Sequence, residues 1–146
     1  MAIRWQLTVD CTDPVRLARF WALALGYVQA PPPGSFPTWD AWRRHHGVPD
    51  EEWVGPGALC DPTGAGPNLT FLPVPEGKTA KNRLHLDLQV GGGRDIVPWE
   101  QRWPRVREKA DELIAAGATE LRTDDLNGRP DHIVLGDPEG NEFCLV

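Results

Sequence analysis

Two stretches of this chain repeat one another position by position, and the repetition leaves few folds open to it. Ile3 to Cys11, IRWQLTVDC, and Asn82 to Val90, NRLHLDLQV, each alternate apolar and polar residues as a half-buried strand does. Laid together, Trp5 matches Leu84, Gln6 matches His85, Leu7 matches Leu86, Thr8 matches Asp87 and Val9 matches Leu88. A second matched pair lies further along: LCDPTGAGPNLTFLPV, Leu59 to Val74, and LGDPEGNEFCLV, Leu135 to Val146. Both carry an Asp-Pro-x-Gly turn, in which proline presets φ at the second position and glycine tolerates the backbone that doubles back. After the second turn Phe143 and Leu145 fall on one strand face, with Glu142, Cys144 and Val146 on the other.

Between the repeated strands lie helices with their own start and stop signals. Asp13 caps a helix with Pro14 at its first position, Leu17, Phe20, Trp21, Ala24 and Leu25 form its apolar stripe, and Gly26 ends it. In the second half a helix opens at Trp99 or Pro104 and runs to Ala116, with Val106, Ala110, Leu113 and Ile114 buried and Gly117 as its stop. Thr119 to Arg122 and His132 to Gly136 read as strands around an Asn127-Gly128 turn. The triple glycine Gly91 to Gly93 lacks the spacing and lysine of a phosphate loop and reads as a flexible lead into the helix. The predicted architecture is α+β: two βαβββ modules, 1–77 and 82–146, within a single domain of 146 residues. The exception to the duplication is a proline- and tryptophan-rich insertion, 30–57, carrying Trp39, Trp42, Trp53, His45 and His46. Its tryptophans either pack into the domain's own core or form a lid that stacks on a planar ligand.

Charge and cysteine usage narrow the partners. Fifteen Lys and Arg against twenty-one Asp and Glu give a net charge of −6, with no basic stripe for nucleic acid and an acidic balance that opposes anionic membranes. No apolar run reaches the roughly 20 residues of a membrane span. Cys11, Cys60 and Cys144 are odd in number and widely spaced, which fits a reducing compartment, so a cytoplasmic protein is expected.

These motifs resemble the vicinal oxygen chelate superfamily, the glyoxalase, bleomycin-resistance and ring-cleaving dioxygenase group. DPVRLARFWALALGY is similar to its first-helix signature, with Phe20-Trp21 and Leu25-Gly26 in the expected places; LHLDLQV resembles the strand opening its second module, and GATELR with DHIVLGDPEGNEFCLV its closing segment. In detail the chain is most similar to the glyoxalase-like domain branch. The resemblance implies two modules whose mixed sheets curl around a cavity, a small-molecule ligand or substrate, and self-association as a homodimer.

It also implies where a metal is held in the enzymes of the group: one side chain on each opening strand and one on each late strand. The opening positions fall on Gln6 and His85. The late position of the second module, a glutamate in the metalloenzymes, is Cys144 here; Glu142 is acidic but two residues early. The other late strand, Asn68 to Val74, has no carboxylate, and Thr70 or Phe71 is its nearest equivalent. A hard-cation site without either carboxylate loses charge neutralisation as well as ligands. Gln6, His85 and Cys144 are therefore read as vestigial metal positions, with no cofactor expected and a divalent metal kept as the lesser alternative. His85, Glu142 and Cys144 are the catalytic candidates, and Gln6, Thr8, His85, Asp87, Trp39, Trp42 and Trp53 the ligand-binding ones. His85 either satisfies polar neighbours or acts on a ligand; Cys144 is either a small buried filler or a nucleophile or soft ligand. The leading expectation is a protein that binds a small, apolar or aromatic molecule in the sheet cavity without a complete metal site. The alternative is a metal-dependent lyase, isomerase or dioxygenase built on Gln6 and His85.

Overall fold

Pairing of each opening strand with the late strand of its own half is the organising feature of the computed structural model, which describes residues 2–53 and 55–146. Met1 and Val54, the latter inside the 30–57 insertion, lie outside the described residues. The chain divides into two compact units, Met1–Gly77 and Lys78–Val146. The first contains β1 (Gln6–Cys11), α1 (Pro14–Leu25), β2 (Val28–Gln29), α2 (Trp39–His45), β3 (Ala58–Cys60) and β4 (Asn68–Pro73); the second contains β5 (Asp87–Leu88), α3 (Trp99–Ala115), β6 (Thr119–Leu126), β7 (Arg129–Gly136) and β8 (Glu142–Leu145). Sheet order is β1-β4-β3-β2 in one and β5-β8-β7-β6 in the other, the same permutation twice. In both, the outer pair is parallel and the remaining pairs are antiparallel, so each sheet is mixed. The α+β, two-module βαβββ architecture expected from the repeat is the one observed.

Each sheet buries one face under its helix. In the first unit Leu59, Leu69 and Phe71 are buried, as are Leu17, Phe20, Trp21 and Ala24 of α1, which packs on β3 and β4. Asp13 caps α1 by accepting a hydrogen bond from Arg16 N at 3.0 Å, and Gly26 ends it in the left-handed conformation at φ 70°. In the second unit Ile133, Leu135, Phe143 and Leu145 are fully buried, as are Val106 and Leu113 of α3. The two Asp-Pro-x-Gly turns are built alike. Asp61 accepts from Thr63 N and Gly66 N, and Asp137 accepts from Glu139 N and Asn141 N. Asn127 and Gly128 both take positive φ, as the tight β6–β7 hairpin requires.

Four expectations need correction. The opening strands are shorter than the alternation implies: only Gln6–Cys11 and Asp87–Leu88 are strands, and Trp5 and Leu84 are 67% and 81% exposed rather than inward. The reason is the partner's length. β4 and β8 begin only after the aspartate turns, so residues ahead of Gln6 and Leu86 have no ladder to join. Asn82 Nδ2 donates to Leu84 O instead, curling that segment. The third correction is in α3, where Ile114 is exposed and the stripe is continued backwards by Arg102, which is 3% exposed. The fourth concerns the triple glycine, which is a packed turn rather than a flexible lead. Gly91 N donates to Val146 O at 2.8 Å, and a Cβ at Gly91 would lie 2.2 Å from Arg102 Cγ. Gly91→Ala is therefore expected to lower stability by about 1–3 kcal/mol through overpacking, read as a lower urea midpoint at unchanged slope.

Candidate functional site

The sheet register places the candidate residues in rows. In the second unit Asp87 of β5 pairs with Cys144 of β8, Cys144 with Val134 of β7, and Val134 with Arg122 of β6. This row lies on the face opposite Phe143 and Leu145. One step further, His132 of β7 pairs with Asp124 of β6. His85 precedes β5 by two residues and stays on the same side, with Nε2 at 3.3 Å from Asp87 Oδ1. Donor atoms of His85, Asp87 and Cys144 all lie within 4.8 Å of one another. The structure thus brings together three of the sequence candidates.

The chemistry of the trio is uneven. His85 and Asp87 are each about half exposed, whereas Cys144 is 8% exposed. Burial pushes the Cys144 thiol up to about 11, and the negative charge of Asp87, which also accepts its S–H, adds to the rise. At neutral pH it is a thiol and not a thiolate, a poor starting point for a free nucleophile. Glu142 does not join the trio. Its carboxylate pairs with Lys81, whose ammonium holds it below the usual carboxylate range. A carboxylate kept ionised this way is unsuited to donating a proton at neutral pH. Beside Asp87 a cavity of about 260 Å³ is lined by Gln89, Arg94, Asp95, Arg102 and Val146.

In the first unit Gln6 pairs with Asn68, and Thr8 with Thr70. Since Thr8 is the repeat equivalent of Asp87, this register makes Thr70, and not Phe71, the counterpart of Cys144. An open depression of about 780 Å³ is lined by Ile3, Trp5, Gln6 and Asn68, among others. Trp39, Trp42 and Trp53 stand on one another, with ring centroids 5.5 to 6.4 Å apart, and Trp39 Nε1 donates to Ala30 O at 2.8 Å. The adjacent histidines are exposed, His46 stacking on Trp42 at 4.5 Å.

Sequence reasoning missed the charged residues on the second sheet. His132 Nε2 lies 3.2 Å from Asp124 and Nδ1 3.1 Å from Asp131, while Arg122 Nε contacts Asp124 at 2.9 Å. Behind them, buried Asp131 accepts from both Arg94 and Arg102. The signal was present: an arginine, Arg102, on the apolar stripe of a helix asks for a buried acid, and Asp124 alternates with Arg122 toward one face.

The four-ligand metal centre that the superfamily resemblance implies does not fit these residues. The first unit offers only amides and hydroxyls at the relevant rows, Gln6, Thr8, Asn68 and Thr70, and β8 offers a sulfur where a carboxylate is needed. A hard dication would find neither its oxygen ligands nor its neutralising charge there.

Comparison with known proteins agrees with the fold. A protein of the glyoxalase/bleomycin resistance protein/dioxygenase family from Burkholderia phytofirmans superposes with a TM-score of 0.57 at 16% identity, covering 96% of this chain and 94% of that one. A genomically encoded fosfomycin resistance protein, FosX, from Listeria monocytogenes, complexed with Mn(II) and 1S,2S-dihydroxypropylphosphonic acid, gives 0.59 at 12% identity, covering 99% and 89%. A possible glyoxalase from Bacillus cereus gives 0.57 at 15%, covering 100% and 98%. No curated protein matches the chain. The pattern of the glyoxalase-like domain matches residues 6–146, taking in both repeated modules and every candidate residue named above, and the chain belongs to that family, within the vicinal oxygen chelate superfamily.

Proposed function

We propose that this protein binds a small aromatic or apolar molecule carrying polar groups, and that it does so without the four-ligand metal centre of its enzymatic relatives. The observation that carries the reading is Cys144: the β8 position that holds a metal-binding glutamate in the enzymes carries a buried thiol, and its repeat counterpart Thr70 is uncharged. FosX holds Mn(II); this chain lacks the carboxylates that would hold such an ion in the same manner. What remains is a surface suited to recognition: apolar contact plus a few placed hydrogen-bonding groups. The proposed contacts are Gln6 and Thr8, with Trp39, Trp42 and Trp53, in the first module, and His85 and Asp87 in the second. Ile3, Trp5, Gln6 and Asn68 around one depression supply the mix of apolar and amide groups that such a ligand needs. Self-association as a homodimer belongs to the same reading. It is supported by Ile3, Trp5 and Leu84, apolar side chains left exposed ahead of the edge strands. Residence in a reducing cytoplasm is supported by three free cysteines.

Tryptophan-fluorescence titration across a panel of aromatic metabolites, in buffer containing EDTA, tests the proposal. At least one compound is expected to bind in a saturable way, with His85→Ala and Gln6→Ala each weakening it about tenfold, the loss of roughly one good hydrogen bond to a polar ligand group. Failure of every compound, or metal-dependent turnover of a hemithioacetal, overturns it.

A further inference from the structure

The residues that fail to make a hard-cation centre make a different one. We propose that His85, Asp87 and Cys144 form a three-donor site, within the second module alone, for one divalent cation of the zinc class. The inference goes beyond the ligand-binding reading and is independent of it.

Placement comes first. Asp87 and Cys144 are register partners on parallel β5 and β8, and His85 sits two residues before Asp87 on the same side. Strand geometry therefore holds an imidazole, a carboxylate and a sulfur at one spot. Their donor atoms lie within 4.8 Å of one another, the nearest pair, His85 Nε2 and Asp87 Oδ1, at 3.3 Å. Zinc bonds of about 2.0–2.3 Å in a tetrahedron set neighbouring donors roughly 3.3–3.7 Å apart. The remaining adjustment falls on the two half-exposed side chains, which are free to rotate onto an ion while buried Cys144 stays fixed.

Donor chemistry comes second. Nitrogen, oxygen and sulfur together suit zinc or its analogue cobalt, whereas manganese and magnesium favour all-oxygen sets. Charge also closes. When the ion binds, the Cys144 S–H bond breaks, its proton leaves to solvent and the sulfur bonds the metal; thiolate and Asp87 carboxylate then supply two negative charges against the dication. Neither charge comes from the first module. Three protein donors leave a fourth position, on the exposed side, for water or a polar ligand group.

The test uses cobalt(II) and zinc(II) as bare ions on the full chain dialysed free of metal. Titration with cobalt(II) is expected to produce a near-ultraviolet sulfur-to-cobalt charge-transfer band that saturates at one equivalent. One equivalent of zinc(II) should erase it and an equal amount of manganese(II) should not. Cys144→Ser should abolish the band. His85→Ala, at an exposed position where folding is not at stake, should weaken cobalt binding at least tenfold, and Asp87→Asn likewise. Absence of the band, its survival in Cys144→Ser through Cys11 or Cys60, unchanged affinity in His85→Ala, or equal competition by manganese each overturns the site. Since the ligand titration is run in EDTA, its success or failure is read separately from this one.

Discussion

Asp131→Ala is expected to destabilise the second unit by about 3–5 kcal/mol, a size set by stranding a buried cation rather than by the contact removed. Asp131 is 3% exposed and accepts from Arg94 at 2.9 Å and from Arg102 at 2.7 Å, while its backbone carbonyl takes a second Arg102 bond at 2.8 Å. Arg102 itself is 3% exposed on the helix stripe that continues as Val106, Ala110 and Leu113, and its Nε already lacks a partner. Without the carboxylate its guanidinium has no counter-charge and no route to water. Arg94→Ala should cost less, because that side chain is 47% exposed and leaves Asp131 still paired with Arg102. The acid dependence carries a sign. Hydrogen bonds from Arg94 foremost, with His132 and Arg102, hold the Asp131 carboxyl well below the ordinary carboxylate range against the opposing effect of burial. Its contribution is therefore complete above about pH 4, the unfolded carboxylate value, and is lost as pH falls toward the depressed folded value. Urea midpoints measured from pH 7 down to pH 3 should decline more steeply below pH 4 for the wild type than for Asp131→Asn. Parallel curves would show that this pair does not carry the acid sensitivity.

The same network shows what could be read from residue order and what could not. Pattern repetition between residues 3–11 and 82–90, and between the two Asp-Pro-x-Gly turns, specified topology well, because a duplicated sequence forms the same local structures twice and pairs them the same way. Helix α1 was legible to its caps, since Asp13, Pro14 and Gly26 act through their immediate neighbours. Strand length was not legible. Alternation continues through Trp5 and Leu84, but a strand lasts only as long as its partner, and the partner's start is set by a turn more than fifty residues away. At the site, the grouping of His85 with Asp87 followed from alternation within one strand, and Cys144 followed from the resemblance of the closing turn. The register made the choice of Thr70 over Phe71, which sequence left open by one residue. His132, Asp124 and Arg122 escaped because their meeting depends on the β6–β7 register and its irregularities between Glu120 and Arg122 and between Asp124 and Asp125. Glu142 was a candidate by composition alone; what it does is decided by Lys81, sixty-one residues away in sequence.

Phe143→Ala should have a comparable cost, about 3–5 kcal/mol, and a consequence for the candidate site that Asp131→Ala lacks. Phe143 is 0% exposed, the largest of the fully buried side chains, and stands on the helix-facing side of β8 with Leu145. Its removal leaves a cavity between β8 and α3 in a four-residue strand that has few other anchors. The next residue is Cys144, whose backbone N–H bonds Leu86 O at 2.8 Å and whose side chain emerges on the opposite face beside Asp87. In the intact protein two effects protect that sulfur: burial limits access, and a pKa pushed up to about 11 leaves little thiolate to react at neutral pH. Loosening β8 weakens both at once, because a strand that opens exposes the thiol and returns it toward its ordinary value. Peptide mapping after treatment with a bulky thiol reagent should therefore show Cys144 slow in the wild type, behind the more accessible Cys60, and accelerated at least tenfold in Phe143→Ala at pH 7. Fast labelling of Cys144 in the wild type would mean that its face is open, and would return the free nucleophile to contention.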